Sequence, residues 1–146
     1  MVAHKDLFVI DASVIIKWAL LEIPNCDEAL ALRQDFFEEH IELIVPTHCF
    51  SEVGNILGRI KPDIAVSFMS FLFNSAIEER ALSLNIVTLT FKLMEQYPGV
   101  TFYDAAYHAL AIQEKGTFIS ADVKYVKKTR GEGHIMLLKD YPIKST

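Results

Sequence analysis

Residues 7–18 read LFVIDASVIIKW: four apolar residues, a carboxylate, then a second apolar run. Leu7–Ile10 has the continuous apolar character of a strand buried in a parallel sheet. Asp11 then stands at the carboxyl end of that strand, and SVIIKWALL (13–21) reads as a helix. An isolated carboxylate in an apolar setting is costly unless it is paired, hydrogen-bonded or bound to a cation. The rest of the chain should therefore supply partners for Asp11.

The same alternation extends outward. NCDEALALRQDFFEEH (25–40) reads as a helix with Asp27 and Glu28 in its first turn, and IELIV (41–45) as a second strand stopped by Pro46. THCFSEVGNILGRI (47–60) carries a helical apolar stripe at Cys49, Val53, Ile56, Leu57 and Ile60, ended by Gly58 and Lys61-Pro62. Asp63–Glu79 reads as one helix, apolar almost all round, which belongs either deep in the core or against a partner. LTFKLMEQY (89–97) is a helix closed by Pro98-Gly99, and TFYDAAYHALAIQEKG (101–116) a helix rich in small residues ended by Gly116. TFIS (117–120) and HIMLL (134–138) are the last strands. Strands alternating with helices predict an α/β fold with a mainly parallel central sheet and right-handed crossovers. Such sheets bind ligands outside the carboxyl ends of their strands, where Asp11 and Asp122 both fall.

Composition narrows the class. A length of 146 residues suits one domain over 1–146. With 51% hydrophobic and 23% charged residues the chain can bury a core, which argues against disorder. The stretch Ile64–Ile77 is shorter than the ~20 residues of a membrane span and carries Ser67, Ser70, Asn74 and Ser75. The opening MVAHKD leads directly into a strand, without a signal-peptide cleavage site. Cys26 and Cys49 are too few for a disulfide framework, so they read as packing residues in a reduced, cytoplasmic protein. A net charge of −5 speaks against the basic footprint of a nucleic-acid binder. Lys124, Lys127, Lys128 and Arg130 nevertheless form a basic cluster, either a solvated helix face or a contact for an anion.

Four acids stand out as partners for one another. Asp11 and Asp122 follow strands. Glu52 lies within about 60° of Cys49 and about 40° of Ile56 on its helix, so it borders the buried stripe. Asp104 opens the helix DAAYHALA, and Thr101-Phe102-Tyr103-Asp104 also fits a capping box. Each acid alone has an ordinary explanation: caps for Asp11, Asp104 and Asp122, a surface position for Glu52. Together they suggest a cation site, because clustered carboxylates repel one another. Hard oxygen donors favour Mg²⁺ or Mn²⁺ over Zn²⁺, and carboxylate-held Mg²⁺ commonly acts on phosphates.

On these residues the chain resembles the PIN-domain ribonucleases, and among them the VapC-like toxins of toxin–antitoxin pairs. The matching pieces are VIDASVIIKW, SEVGNIL, TFYDAAYHALA and FISADVKYVKK, in order along nearly the whole chain. The resemblance implies a three-layer α/β/α fold and a metal-dependent endoribonuclease leaving 5′-phosphate and 3′-hydroxyl ends. It implies that Asp11, Glu52, Asp104 and Asp122 hold Mg²⁺ or Mn²⁺, with Ser13 and Ser120 in support. It also implies an RNA substrate guided by Lys124, Lys127, Lys128 and Arg130, a small antitoxin partner and a homodimer. Tyr107 of the D-x-x-Y pattern reads as packing, and the helix at 63–79 as an interface or as core. His48 and His108 share helix faces with Glu52 and Asp104, yet the family pattern has no histidine there, and Trp18 reads as core or interface. A dehalogenase-type phosphatase would need a second Asp at position 13, which is Ser13, and a receiver domain would need an acid pair that Asp6 and Asp11 do not form. The alternatives left open are a non-catalytic protein-binding module and a nuclease of RNA processing or of DNA.

Overall fold

Asp6–Ile10 forms strand β1, Ile41–Pro46 β2, Glu78–Arg80 β3, Thr117–Ser120 β4 and Ile135–Leu137 β5. All pairings are parallel and the order across the sheet is β3-β2-β1-β4-β5. The computed structural model describes residues 4–21 and 24–144. Its helices are α1 (Ala12–Leu20), α2 (Cys26–Phe37), α3 (His48–Ile60), α4 (Pro62–Asn74), α5 (Leu84–Gln96), α6 (Phe102–Gln113) and α7 (Val123–Thr129). They flank the sheet in the expected three-layer α/β/α arrangement.

The central strand is apolar because helices cover it. Val9, Ile10, Leu43, Val45, Phe118 and Ile119 are all buried. Each such burial contributes about 1.5–3 kcal/mol relative to exposure. α6 packs across β1, β2 and β4. It can approach closely because Ala105, Ala106, Ala109 and Ala111 face inward and are fully buried. Gly116 allows the same approach at the turn into β4: a Cβ there would lie 2.5 Å from the Leu7 carbonyl oxygen. Trp18 is core, its indole N–H donating to the Ala29 carbonyl at 2.8 Å.

Two sequence-derived boundaries need correction. The apolar helix does not reach Glu79: α4 ends at Asn74, and Glu78–Arg80 pairs with Ile44–Pro46 as an edge strand. Ser75 turns the chain, its hydroxyl donating to the Leu72 carbonyl at 2.6 Å and accepting from Ile77 N–H at 3.3 Å. Charged side chains suit an edge strand exposed to solvent, so neither apolar alternation nor an apolar run marks β3. Nor is α4 core. Leu72 is its one buried residue, whereas Val66 is 84% and Phe73 64% exposed. The helix after it also starts earlier than the apolar pattern suggested, at Leu84, because Ser83 caps it by accepting from Ile86 N–H.

The strand order positions the site. The chain moves outward from β1 to β2 and β3, then returns through α5 and α6 to place β4 on the other side of β1. The connections leaving β1 and β4 therefore diverge, which opens a crevice at their carboxyl ends.

Candidate active site

Asp11 caps α1, its side chain accepting from Val14 N–H at 3.3 Å. Ser13 donates to its Oδ1 at 2.5 Å and Ser120, at the end of β4, to its Oδ2 at 2.6 Å. Both serines also accept backbone donors of the neighbouring segment: Ala121 N–H on Ser13 at 3.3 Å and Asp122 N–H on Ser120 at 3.0 Å. Two hydroxyls thus tie the end of β1 to the start of α7. Asp122 caps α7, accepting from Tyr125 N–H at 3.1 Å. Asp104 sits in the first turn of α6, whose cap Thr101 accepts the Asp104 N–H at 3.1 Å. The capping roles foreseen for Asp11 and Asp122 are real, and they aim both carboxylates at the crevice.

Glu52 comes from α3. It accepts the Tyr107 hydroxyl at 2.9 Å, and His48 Nε2 lies 3.3 Å away, close enough for charge but without hydrogen-bond alignment. Tyr107 was expected only to pack. It does so, lying flat on Phe118 with centroids 5.5 Å apart, but its hydroxyl also holds Glu52. The signal was available: Asp104 and Tyr107 are three apart and share a helix face.

Burial, with a smaller contribution from neighbouring carboxylates, shifts the titrating groups of the cluster. Burial raises the Asp11 carboxyl to about 6, against the serine and Val14 hydrogen bonds, and nearby Asp104 raises it further. Asp104 is raised too, by burial first and by Asp122 second, with Thr101 and His48 opposing. Burial lowers the His48 imidazole despite Glu52 and Asp104, which favours its neutral form at pH 7. His108 is fully buried and engaged at both nitrogens. The Gly133 carbonyl, 2.7 Å from Nε2, can only accept, so Nε2 carries the hydrogen and Nδ1 accepts from the Tyr125 hydroxyl at 3.0 Å. No lone pair of His108 is left for a metal.

A small cleft of about 110 Å³ runs between Gly99, Thr101 and Asp104 on one side and Asp122, Tyr125 and two lysines, Lys124 and Lys128, on the other. Lys127 and Arg130 are exposed but do not line it. A larger concavity of about 510 Å³, lined by Lys5, Asp6, Glu114 and Lys115 among others, lies at the opposite, amino-terminal end of the strands and holds none of the four acids.

The donor chemistry fits a hard divalent cation: four carboxylates from four separate segments, with each Asp11 oxygen already oriented by a serine. No three of Asp11, Glu52, Asp104 and Asp122 bring ligand atoms within 4.8 Å of one another. Among the described residues that spacing occurs at Asp35, Glu38 and His40, on the C-terminal end of α2. Asp35 is already engaged there by Tyr141 and Lys144. Among the described residues no helix is long and apolar enough to cross a membrane.

A family model described as PIN domain matches residues 8–131. A toxin–antitoxin complex from Klebsiella pneumoniae superposes with a TM-score of 0.64 at 17% identity, over 92% of this chain and 98% of that one. VapBC2 from Rickettsia felis gives a TM-score of 0.64 at 12% identity, over 90% of this chain and 96% of that one. VapC20 from Mycobacterium tuberculosis gives 0.62 at 11% identity, over 78% and 87%. At these identities the likeness is one of fold. No curated protein sequence matches significantly.

Proposed function

The chain belongs to the PIN-domain family, whose members are nucleases, and from that premise we propose that it is a metal-dependent endoribonuclease, the toxin of a toxin–antitoxin pair. One observation carries the reading. Asp11, at the carboxyl end of β1, is held by Ser13 and Ser120, while Asp104 and Asp122 line one cleft and Glu52 is held by Tyr107 from the same helix as Asp104. Two fold neighbours support it: VapC20 from Mycobacterium tuberculosis is a sarcin-ricin loop cleaving toxin, and the Klebsiella pneumoniae structure is a toxin–antitoxin complex. In this reading residues 1–146 form one nuclease domain. It works in the cytoplasm as a homodimer, and a small antitoxin restrains it. The exposed apolar face of α4 gives such a protein partner a surface.

Asp11, Glu52, Asp104 and Asp122 would hold Mg²⁺ or Mn²⁺. When bound, such an ion polarises a phosphoryl oxygen and makes hydroxide available at neutral pH. The chain's own residues do the rest. Ser13 and Ser120 fix the Asp11 carboxylate, and Tyr107 fixes Glu52. Lys124 and Lys128 line the cleft beside Asp104 and Asp122, where they meet phosphate charge and position the strand without reading its sequence. Lys127 and Arg130 extend the positive approach from outside. Water adds across one phosphodiester, giving a 5′-phosphate and a 3′-hydroxyl.

The test is cleavage of an end-labelled structured RNA in Mn²⁺ or Mg²⁺, comparing wild type, Asp11→Asn and an EDTA control. Cutting that needs the metal and disappears in the variant is the expected outcome. Equal cutting by both proteins refutes the site assignment. No metal-dependent cutting of any RNA class would favour a protein-binding module.

A further inference from the structure

The acid cluster has two unlike flanks. On the Asp122 side the cleft is lined by Lys124 and Lys128. On the Glu52 side stands a row of rings. Tyr107, whose hydroxyl holds Glu52, meets His48 with centroids 4.7 Å apart, and His48 meets Tyr103 at 5.7 Å. Tyr103 precedes Asp104 directly and is 61% exposed, the outermost ring of this row.

Tyr103 is also held in place. His48 crosses it at 67° and Phe102 at 88°, with Phe102 braced in turn by Phe91. Neither ring partner lies flat on it. A fixed aromatic ring with a free face presents stacking area at little ordering cost.

We propose that Tyr103 is a stacking ledge for an unpaired base next to the scissile phosphate. The proposal rests on the nuclease reading above. A phosphate at the acids leaves its neighbouring phosphates toward the lysines and one base toward the tyrosine. Bases inside a duplex are already stacked and cannot reach the ledge, whereas an unpaired base of any identity can. Stacking on Tyr103 needs an unpaired base and does not read its identity.

The test uses fluorescence anisotropy in Ca²⁺ at low ionic strength, with a labelled eight-nucleotide oligouridylate and a labelled duplex RNA of equal length. Wild type should bind the single strand more tightly than the duplex. Tyr103→Ala should lose about 5- to 150-fold affinity for the single strand, with little change on the duplex. Tyr103→Phe, which keeps the ring, should bind like wild type and shows that the position tolerates change. Equal single-strand binding by Tyr103→Ala and wild type overturns the proposal. So does a wild type that binds both RNAs equally or neither. A Tyr103→Ala protein that binds RNA normally but changes its mass in light scattering assigns the ring to a protein interface and likewise overturns it. The nuclease reading fails separately: if the Asp11→Asn comparison shows no metal-dependent cutting while Tyr103→Ala still weakens single-strand binding, the ledge stands on a non-cutting RNA binder.

Discussion

Asp11→Asn should inactivate the protein and yet make its metal-free form more stable. Burial lifts the Asp11 carboxyl from 3.8 to about 6. Between those values the folded chain binds more protons than the unfolded one, so stability falls as pH rises through the window. At about 1.4 kcal/mol per pH unit the full cost is about 3 kcal/mol, present above pH 6. About half of it is present at pH 5. Asparagine is neutral throughout and keeps the shape, and the Ser13 and Ser120 hydroxyls can turn to suit it. For a chain of this length about 3 kcal/mol corresponds to roughly 6–10 °C in Tm. Thermal melts in EDTA at pH 5 and pH 7.5 should therefore show the variant melting higher, with the gap about twice as large at pH 7.5. Saturating Mn²⁺ should close the gap by stabilising wild type, by about 2.7 kcal/mol at a hundredfold excess over Kd. A variant that melts below wild type at pH 7.5, or a gap independent of pH, would refute the reasoning.

Four further outcomes follow from particular contacts. Tyr107→Phe keeps the ring on Phe118 but frees Glu52, and Mn²⁺ titration calorimetry should show about a tenfold weaker affinity; unchanged affinity would leave the tyrosine a packing role alone. Lys124→Ala and Lys128→Ala should each flatten the salt dependence of single-strand RNA binding by about 0.7 in log–log slope. Val66→Glu on α4 should alter chemical-denaturation stability by less than about 0.5 kcal/mol, since the side chain is 84% exposed; a larger loss would show that this face is buried within the fold. Gly116→Ala should destabilise by about 1–3 kcal/mol in the same assay, because its Cβ would press on the Leu7 backbone.

Much of the fold was legible because burial imposes periodicity. The runs at 7–10, 41–45 and 117–120 became β1, β2 and β4 within a residue or two, since strands covered on both faces must be apolar throughout. β3 was not legible. An edge strand of Glu78, Glu79 and Arg80 is set by pairing with Ile44–Pro46, each partner 34 residues away in the chain. For α4 the apolar sequence left its own core and a partner surface both open, and the structure excludes the core, because Leu72 is the one buried residue of the helix.

The sequence by itself determined the chemistry available to this protein. It placed carboxylates after two buried strands and at two helix positions, and supplied hydroxyls two residues from Asp11 and from Asp122. Local rules suffice there, because a strand end and a helix cap are defined by neighbouring residues. Only the tertiary structure decided which groups act on which. Ser120 reaches Asp11 across 109 positions and Tyr107 reaches Glu52 across 55. Those contacts exist because β4 lies beside β1 and α6 crosses the sheet toward α3, an adjacency fixed by packing and strand order that no local window contains.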